Sequence, residues 1–216
     1  MSYLLHYLLI APAILFALTI HEYSHGWMAY KKGDSTALLA GRLTLNPLKH
    51  LDPLGTIMLF LFRFGWAKPV PVNPYNLKDP KRDMIWVSLA GPLSNLISGV
   101  AFGFLLRILR SFHLQFYSWF YPFYLILVFF VLYNLILFLF NLIPILPLDG
   151  GQILYHLLPS ELAHSYARIA PLGPFLLVGI ILFGSFSGVN LLWGWIEPIV
   201  SIISKIAAGE SVFFLL

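Results

Sequence analysis

The chain has 216 residues, of which 59% are hydrophobic and only 10% are charged, and its mean hydropathy is +0.84. Soluble domains carry about 25% charged residues, so this composition excludes a soluble globular protein and indicates an integral membrane protein. The net charge of +4 does not indicate nucleic-acid binding, because the lysines and arginines flank apolar runs and form no basic stripe. The chain contains no cysteine, which excludes disulfides and cysteine-ligated metals.

The first predicted element is a membrane span over residues 3–30. No charged residue precedes Glu22, and two lysines at positions 31–32 end the apolar run. A helical span needs about 20 predominantly apolar residues, which this segment supplies. Residues 31–53 then form a polar connection that is rich in turn-forming Gly-Asp, Asn-Pro and Asp-Pro pairs.

A shorter apolar segment follows at residues 54–62. It is too short to cross a bilayer as a helix, and the proline-rich stretch "KPVPVNPY" comes soon after it. Non-helical backbone is tolerated at membrane depth where protein or a water-filled cavity covers it. We therefore expect a re-entrant or interfacial hairpin that is partly extended.

The rest of the chain predicts four more spans, over residues 84–106, 119–140, 169–183 and 189–203. Prolines and a glycine pair in "NLIPILPLDGG" should break the helix that ends near residue 140. The predicted fold class is an all-α polytopic membrane protein with about five to six transmembrane helices and the re-entrant segment after the first of them.

The lysines and arginines predict an orientation. Five crossings place residues 31–83, residues 150–168 and the C-terminus on one side, which then holds 11 of the 13 lysines and arginines. Cytoplasmic loops carry an excess of these residues. We therefore expect a multi-pass protein of the cell membrane whose N-terminus is outside and whose basic loop and C-terminus are cytoplasmic.

The stretch "LTIHEYSHGWMAY" contains three residues that suit a metal site. His21 and His25 are four apart, so on a helix they share one face and both imidazoles can reach one ion. Glu22 points about 100° away, where it is better placed to meet a metal-bound water. Two ligands and one general base are the arrangement of HExxH zinc hydrolases. Ionisable residues inside an apolar span are costly, which favours a functional site over chance.

A catalytic zinc ion also needs a third protein ligand. His6 is excluded, because 15 residues of helix separate it from His21 by more than about 20 Å. Glu197 lies in an apolar segment and is one candidate. Asp149 is the better candidate, because it follows a long uncharged run and lies between prolines and glycines, whose irregular backbone can bring a carboxylate to a metal. A simple Asp-Gly turn is the alternative for Asp149.

The motifs "HEYSHGWMA", "GPLSN" and "NLIPILPLDGG" resemble the HExxH, GPxxN and NxxPxxxxDG motifs of the site-2 protease family of intramembrane zinc metalloproteases. "GRLTLNPLKHLDPLGT" and "GWAKPVPVNPYNL" resemble loops of its compact prokaryotic branch, which lacks a PDZ domain. The resemblance covers residues 13–155 in the family's order. It implies that His21, His25 and Asp149 bind one Zn²⁺ and that Glu22 is the catalytic base.

The resemblance also assigns the motif asparagines. Its implied role for Asn95 and Asn141 is polar support of the scissile peptide or its oxyanion, and the alternative is hydrogen bonding between helices. We expect a single metalloprotease domain over residues 1–216, with a catalytic core at about 3–158 and C-terminal spans at about 169–205.

The function that the motifs imply is hydrolysis of peptide bonds within or near transmembrane segments, as in regulated intramembrane proteolysis. The expected partners are a single-span membrane protein or membrane-embedded peptide as substrate and the lipid bilayer, with no nucleic acid. A divalent-cation transporter and an inactive membrane scaffold are the alternatives. A transporter should provide polar ligands across the whole bilayer, whereas here the acids and imidazoles cluster at one depth.

Two further interpretations concern the loop between the first two long spans. The "KPVPVNPY" stretch is a candidate clamp that would hold an unwound substrate by strand addition, and a rigid structural turn is the alternative. His50 is expected to be a solvated loop histidine, with a supporting role beside the metal ligands as the alternative.

Overall fold

The computed structural model describes residues 3–62, 65–188 and 191–215. Within these ranges the chain forms nine α-helices: α1 (Tyr3–Lys32), α2 (Thr36–Leu39), α3 (Pro53–Phe62), α4 (Pro80–Ser111), α5 (Tyr121–Asn141), α6 (Asp149–Leu157), α7 (Ser160–Ile169), α8 (Gly173–Ser187) and α9 (Leu191–Ala208). The same residues contain no β-strand, only an isolated antiparallel bridge between Leu51 and Ala67.

Five helical segments are long and apolar enough to cross a membrane, judged by length and composition: Leu8–Lys32, Pro80–Ser111, Tyr121–Asn141, Ser160–Gly184 and Leu191–Ala208. They overlap the five spans that the sequence predicts. The first two positions of the predicted last span, residues 189 and 190, lie outside the described residues. The predicted all-α polytopic fold class is confirmed.

The core of the bundle lies between α1, α4 and α5, and α9 packs against α4 and α5. Glycines allow these helices to approach closely. A Cβ atom at Gly103 would lie only 2.6 Å from the Cβ of Ala207, and one at Gly99 would lie 2.8 Å from a methyl carbon of Leu135. Large side chains that are fully buried fill the space between the helices, among them Leu106, Val128, Val131, Leu135 and Val200.

The C-terminal ends of α4 and α9 lie side by side. The Arg110 guanidinium is 2.6 Å from the carboxylate of Glu210, and Arg107 donates a hydrogen bond to the carbonyl oxygen of Ile206 at 3.5 Å. The opposite end of α4 packs against the C-terminal end of α1, where Lys32 lies 2.9 Å from Asp83. The chain therefore ends at the end of the bundle that is remote from the loop between α1 and α4.

This arrangement corrects the predicted position of the C-terminus, which the sequence placed on the same side as the basic loop. Helix α8 begins at the loop end of the bundle, where Gly173 packs so tightly on Leu146 that a Cβ atom would overlap its carbonyl oxygen. Between there and the end of α9 the chain crosses the bundle once in net, whereas the predicted orientation assumed two crossings in this part of the chain. Moving Lys205 to the other end lowers the loop side's share from 11 to 10 of the 13 lysines and arginines. The cytoplasmic orientation of the loop side stays a prediction.

The predicted hairpin segment consists of the 10-residue helix α3 and an extended stretch over residues 65–73. Residues 63 and 64 lie outside the described residues. The backbone N–H of Lys68 donates to the carbonyl oxygen of His50 at 2.8 Å, which ties the extended stretch to the preceding loop. Its re-entrant position in a bilayer stays a prediction.

His50 is buried, so the expectation of a solvated loop histidine is wrong. Only 1% of its surface is exposed, and its Nε2 donates to the carbonyl oxygen of Thr44 at 2.7 Å. The imidazole thus organises the loop between α2 and α3.

A buried carboxylate fastens the end of the extended stretch to the end of α1. Asp34 accepts hydrogen bonds from the backbone N–H groups of Thr36 at 3.0 Å and Asn73 at 2.7 Å, and from the side-chain amide of Asn76 at 2.8 Å. Burial opposes ionisation of Asp34, but these hydrogen bonds outweigh it and keep the pKa of the carboxyl below its usual value. The extended stretch is therefore fixed at its C-terminal end.

The position of the C-terminus can be tested by labelling, because the chain has no native cysteine. Tyr75 and Phe214 are 93% and 86% exposed, at the loop end and the C-terminal end respectively. We expect Tyr75→Cys and Phe214→Cys to react with a membrane-impermeant maleimide from opposite sides of sealed vesicles, with Tyr75 on the cytoplasmic side. Phe112→Cys, at the end of α4, is the control that should label together with Phe214→Cys. Labelling of Tyr75→Cys and Phe214→Cys from the same side would contradict this fold.

Candidate metal centre

Two imidazoles of α1 converge on one point. His21 and His25 are one helical turn apart on the same face, and their Nε2 atoms lie 3.0 Å from each other. The two rings are nearly perpendicular, at 85°. His21 is 6% exposed, so the pair lies inside the bundle.

The carboxylate of Asp149 completes this group. Its Oδ2 atom is 3.1 Å from Nε2 of His21 and 3.3 Å from Nε2 of His25. Asp149 is the first residue of α6 and follows the turns that end α5. Gly151 permits this approach, because a Cβ atom there would lie 2.5 Å from the backbone nitrogen of Leu146. The glycine pair after Asp149 therefore lets α6 pack directly on the preceding turn.

Hydrogen bonds to acceptors on α4 fix the tautomer of each imidazole. Nδ1 of His25 lies 2.7 Å from the carbonyl oxygen of Val87, and because a carbonyl can only accept, this nitrogen carries the proton. Nδ1 of His21 donates to Oδ1 of Asn95 at 2.7 Å. The amide nitrogen of Asn95 donates to the carbonyl oxygen of Ala17, which fixes the orientation of the amide. With the proton on Nδ1, each imidazole can present the lone pair of its Nε2 to the common point, as a metal-binding histidine does.

The three donor atoms fit a zinc ion. They form a triangle with edges of 3.0, 3.1 and 3.3 Å, and ligands at about 2.0–2.1 Å in a tetrahedron are separated by about 3.3 Å. Oδ2 of Asp149 is buried and accepts no hydrogen bond despite its two close neighbours. Three lone pairs that face one another repel unless a cation lies between them. Two neutral imidazoles, one carboxylate and an open fourth position are a donor set typical of catalytic zinc.

Gly91 is part of the site, although none of the predictions from the sequence involved it. A Cβ atom at this position would overlap Nε2 of His25 and would lie 2.7 Å from Cε1 of His21. Helix α4 therefore touches the imidazoles with a bare backbone. The available signal was its position in "AGPLSN", one helical turn before Asn95.

Glu22 lies beside this group but is not one of its donors. Its Oε2 accepts a hydrogen bond from the backbone N–H of Val70 at 2.9 Å. Val70 belongs to the extended stretch, and its side chain is 8% exposed. The structure thus keeps the ligands and the predicted base apart, and it joins the predicted base to the predicted clamp.

The two predicted asparagines differ in their surroundings. Asn95 is fully buried and uses its oxygen for His21 and its amide nitrogen for Ala17 and Asn134, so no amide hydrogen is left over for a substrate. Asn141 ends α5 and donates to the carbonyl oxygen of Leu137 at 3.0 Å. Contact of either asparagine with a substrate stays a prediction.

The other candidate ligands are not part of this cluster. Glu197 is exposed on α9, and among the described residues the only group of this kind is His21, His25 and Asp149. The side chain of His6 lies outside those described.

These features define a helical membrane protein in which two histidines and one aspartate form a group that could hold a metal ion. The model of "Peptidase family M50" matches residues 118–180, which include α5 and Asp149. No solved structure matches the chain.

Three relatives extend this likeness to most of the chain. It is 41% identical over 194 residues to "Putative zinc metalloprotease YwhC" of Bacillus subtilis (strain 168), an alignment that covers 88% of this chain and 85% of that protein. It is 33% identical over 167 residues to "Putative zinc metalloprotease Rip2" of Mycolicibacterium smegmatis, covering 74% and 61% of the two chains. It is 29% identical over 224 residues to the Rip2 protein of Mycobacterium tuberculosis (strain Erdman), covering 95% and 79%.

The chain therefore belongs to peptidase family M50, the site-2 protease family, which confirms the resemblance of its motifs. Together with the five apolar helices, this membership makes it an intramembrane zinc metalloprotease.

The close approach of α4 to the imidazoles gives a direct test of the centre. Gly91→Ala adds one methyl group where His25 Nε2 must face the metal, so we expect zinc affinity to fall at least about tenfold. Zinc bound per purified protein, measured by mass spectrometry against a chelator, gives the result. Gly179→Ala is the matched control, because a Cβ atom there meets nothing within 4 Å. Equal zinc binding by both variants would contradict the geometry.

Proposed function

We propose that this protein is a zinc endopeptidase that cleaves single-span membrane proteins, or peptides embedded in the bilayer, within or near their transmembrane segments. In this proposal one Zn²⁺ is bound by His21, His25 and Asp149. The observation that carries it is the convergence of three lone pairs at a buried point within a bundle of membrane-length apolar helices. A metal held at this depth meets peptide bonds that are themselves in or near the membrane.

The proposed chemistry divides between the metal and Glu22. The zinc ion, when bound, supplies Lewis acidity that polarises a scissile carbonyl and brings the pKa of water toward 7. Glu22 accepts the proton of the attacking water and delivers it to the leaving nitrogen. The N–H of Val70 occupies Oε2 of Glu22, which leaves Oε1 free to accept that proton.

The extended stretch is the proposed contact for an unwound substrate. Pro69 and Pro71 have no N–H, Lys68 donates to His50, and Val70 donates to Glu22. Among the described contacts the N–H of Val72 has no partner, so it is the donor that a substrate strand can use. This pairing would place the substrate strand two residues along the stretch from Val70, whose N–H holds the proposed base.

The alternative of a cation transporter has less support. A transport path needs polar ligands at several depths across the bilayer. Among the described residues one group of three candidate metal ligands is present, and it lies at the loop end of the bundle.

The proposed function is tested by incubating purified protein with a single-span test substrate in detergent. We expect the wild type to contain zinc and to cleave. Glu22→Gln should keep its zinc and lose activity by about 10²- to 10⁴-fold, because the general base is removed while the three ligands remain. Glu161→Gln makes the same change at an exposed residue of α7 and should keep wild-type activity. Cleavage by Glu22→Gln at the wild-type rate would refute the mechanism.

Two proline substitutions separate the role of Val70 from that of its neighbour. Val70→Pro removes the N–H that holds Glu22, so we expect kcat to fall about 10- to 100-fold with zinc content and KM little changed. Val72→Pro leaves that bond in place, and we expect it to raise KM while kcat is retained. The segment is already extended between prolines, so it should accommodate either change. Steady-state kinetics give both constants, and an equal fall of kcat in both variants would show that Val70 does not position the base.

A further inference from the structure

One buried polar residue has no part in the proposed chemistry. Asn134 is fully buried in α5, in the middle of a helix whose other side chains are almost all apolar. Burying an amide without partners is unfavourable, so its contacts show what it does there.

The hydrogen bonds of Asn134 fix the orientation of its side-chain amide. Its Nδ2 donates to the carbonyl oxygen of Phe130 at 2.8 Å, and because a carbonyl can only accept, its Oδ1 must face the other way. That oxygen accepts a hydrogen bond from Nδ2 of Asn95 at 3.0 Å. The second hydrogen of the same nitrogen goes to the carbonyl oxygen of Ala17 at 2.9 Å.

The series of hydrogen bonds ends at a metal ligand. With both hydrogens of its Nδ2 engaged, Asn95 can present only its oxygen to His21, and His21 Nδ1 donates to it at 2.7 Å. If the Asn95 amide turned over, it would offer a donor to Nδ1, and the proton of the imidazole would move to Nε2. An imidazole protonated at Nε2 cannot bind the ion through that atom.

We propose that Asn134 is a positioning residue for the zinc centre, which acts through Asn95 on the orientation and tautomer of His21. The inference rests on the proposed function, since it concerns the same metal. The packing of α4 on α5 brings the amides together, because Gly99 of α4 faces Asn134 and Leu135 without a side chain. Partners of a ligating histidine affect metal affinity in this manner.

The test is the zinc affinity of purified full-length variants, measured by competition with a chelator. Asn134→Leu fills the same space without hydrogen bonds, and we expect its affinity to be about tenfold weaker than that of the wild type. Asn134→Gln keeps a buried amide but moves its oxygen by one methylene, so its affinity should also fall. This second variant serves where Asn134→Leu fails to fold.

A conservative variant separates positioning from general destabilisation. Asn134→Asp, protonated in this apolar site, keeps one acceptor and one donor and should bind zinc nearly as tightly as the wild type. Ser204→Ala is the matched control, because Ser204 is also fully buried and hydrogen-bonded but lies on α9 away from the metal ligands. It should lower the melting temperature without changing zinc affinity.

A double substitution tests the route through Asn95. In an Asn95→Ala background, adding Asn134→Leu should cause no further loss of zinc affinity, because the side chain through which Asn134 acts is already absent. Additive losses would overturn the proposal, as would zinc affinity in Asn134→Leu and Asn134→Gln equal to that of the wild type. If the wild type itself binds no zinc, the proposed function fails together with this inference, whereas tight binding by all variants refutes the inference alone.

Discussion

The two hydrogen bonds from the histidine Nδ1 atoms to acceptors on α4 are the interactions on which the rest of the site depends. They determine which nitrogen of each imidazole is free, and so they create a point at which three lone pairs meet. Leaving one of these buried N–H groups without an acceptor would cost about 1–3 kcal/mol. The site therefore requires α1 and α4 to stay in close contact, so the packing of these two helices matters to the candidate metal centre as much as its three side chains do.

Close contact between helices requires residues without large side chains at the points of contact. At three positions of α4 the partner lies where a Cβ atom would be: Gly91 against the imidazoles, Gly99 against Leu135 and Gly103 against Ala207. These glycines lie on α4, which packs against α1, α5, α6 and α9. In a bilayer, where lipid tails are as apolar as the helices, such packing and the buried amide contacts replace the hydrophobic drive of a soluble core. Helix α4 is thus the central element of the fold.

The sequence predicted the features that follow from local pattern. Residues 21 and 25 share a face of any α-helix that contains them, and a long apolar run predicts a membrane span. It also favoured Asp149 over Glu197 as a third donor, because an isolated acid in an uncharged region is conspicuous, and the structure brings Asp149 to the two histidines. The position of the C-terminus could not be predicted in this way, since counting apolar runs does not reveal that α8 and α9 together make one net crossing. Asn134 was missed for a similar reason: its role depends on which residue of α4 faces it, and periodicity carries no such information.

The hydrogen bond from Val70 to Glu22 joins the extended stretch to α1, the helix that carries the two histidines, so that the two segments move together. Asp34 secures the same stretch a few residues further on, so it cannot shift freely with respect to α1. A polypeptide that pairs with the stretch and distorts it would displace the carboxylate of Glu22 by a similar amount. If Glu22 is the base, as proposed, poorly fitting chains would lose turnover more than affinity, because they would be bound while Glu22 is out of alignment. In the proposed mechanism, selectivity would then depend on the backbone that lies against Glu22.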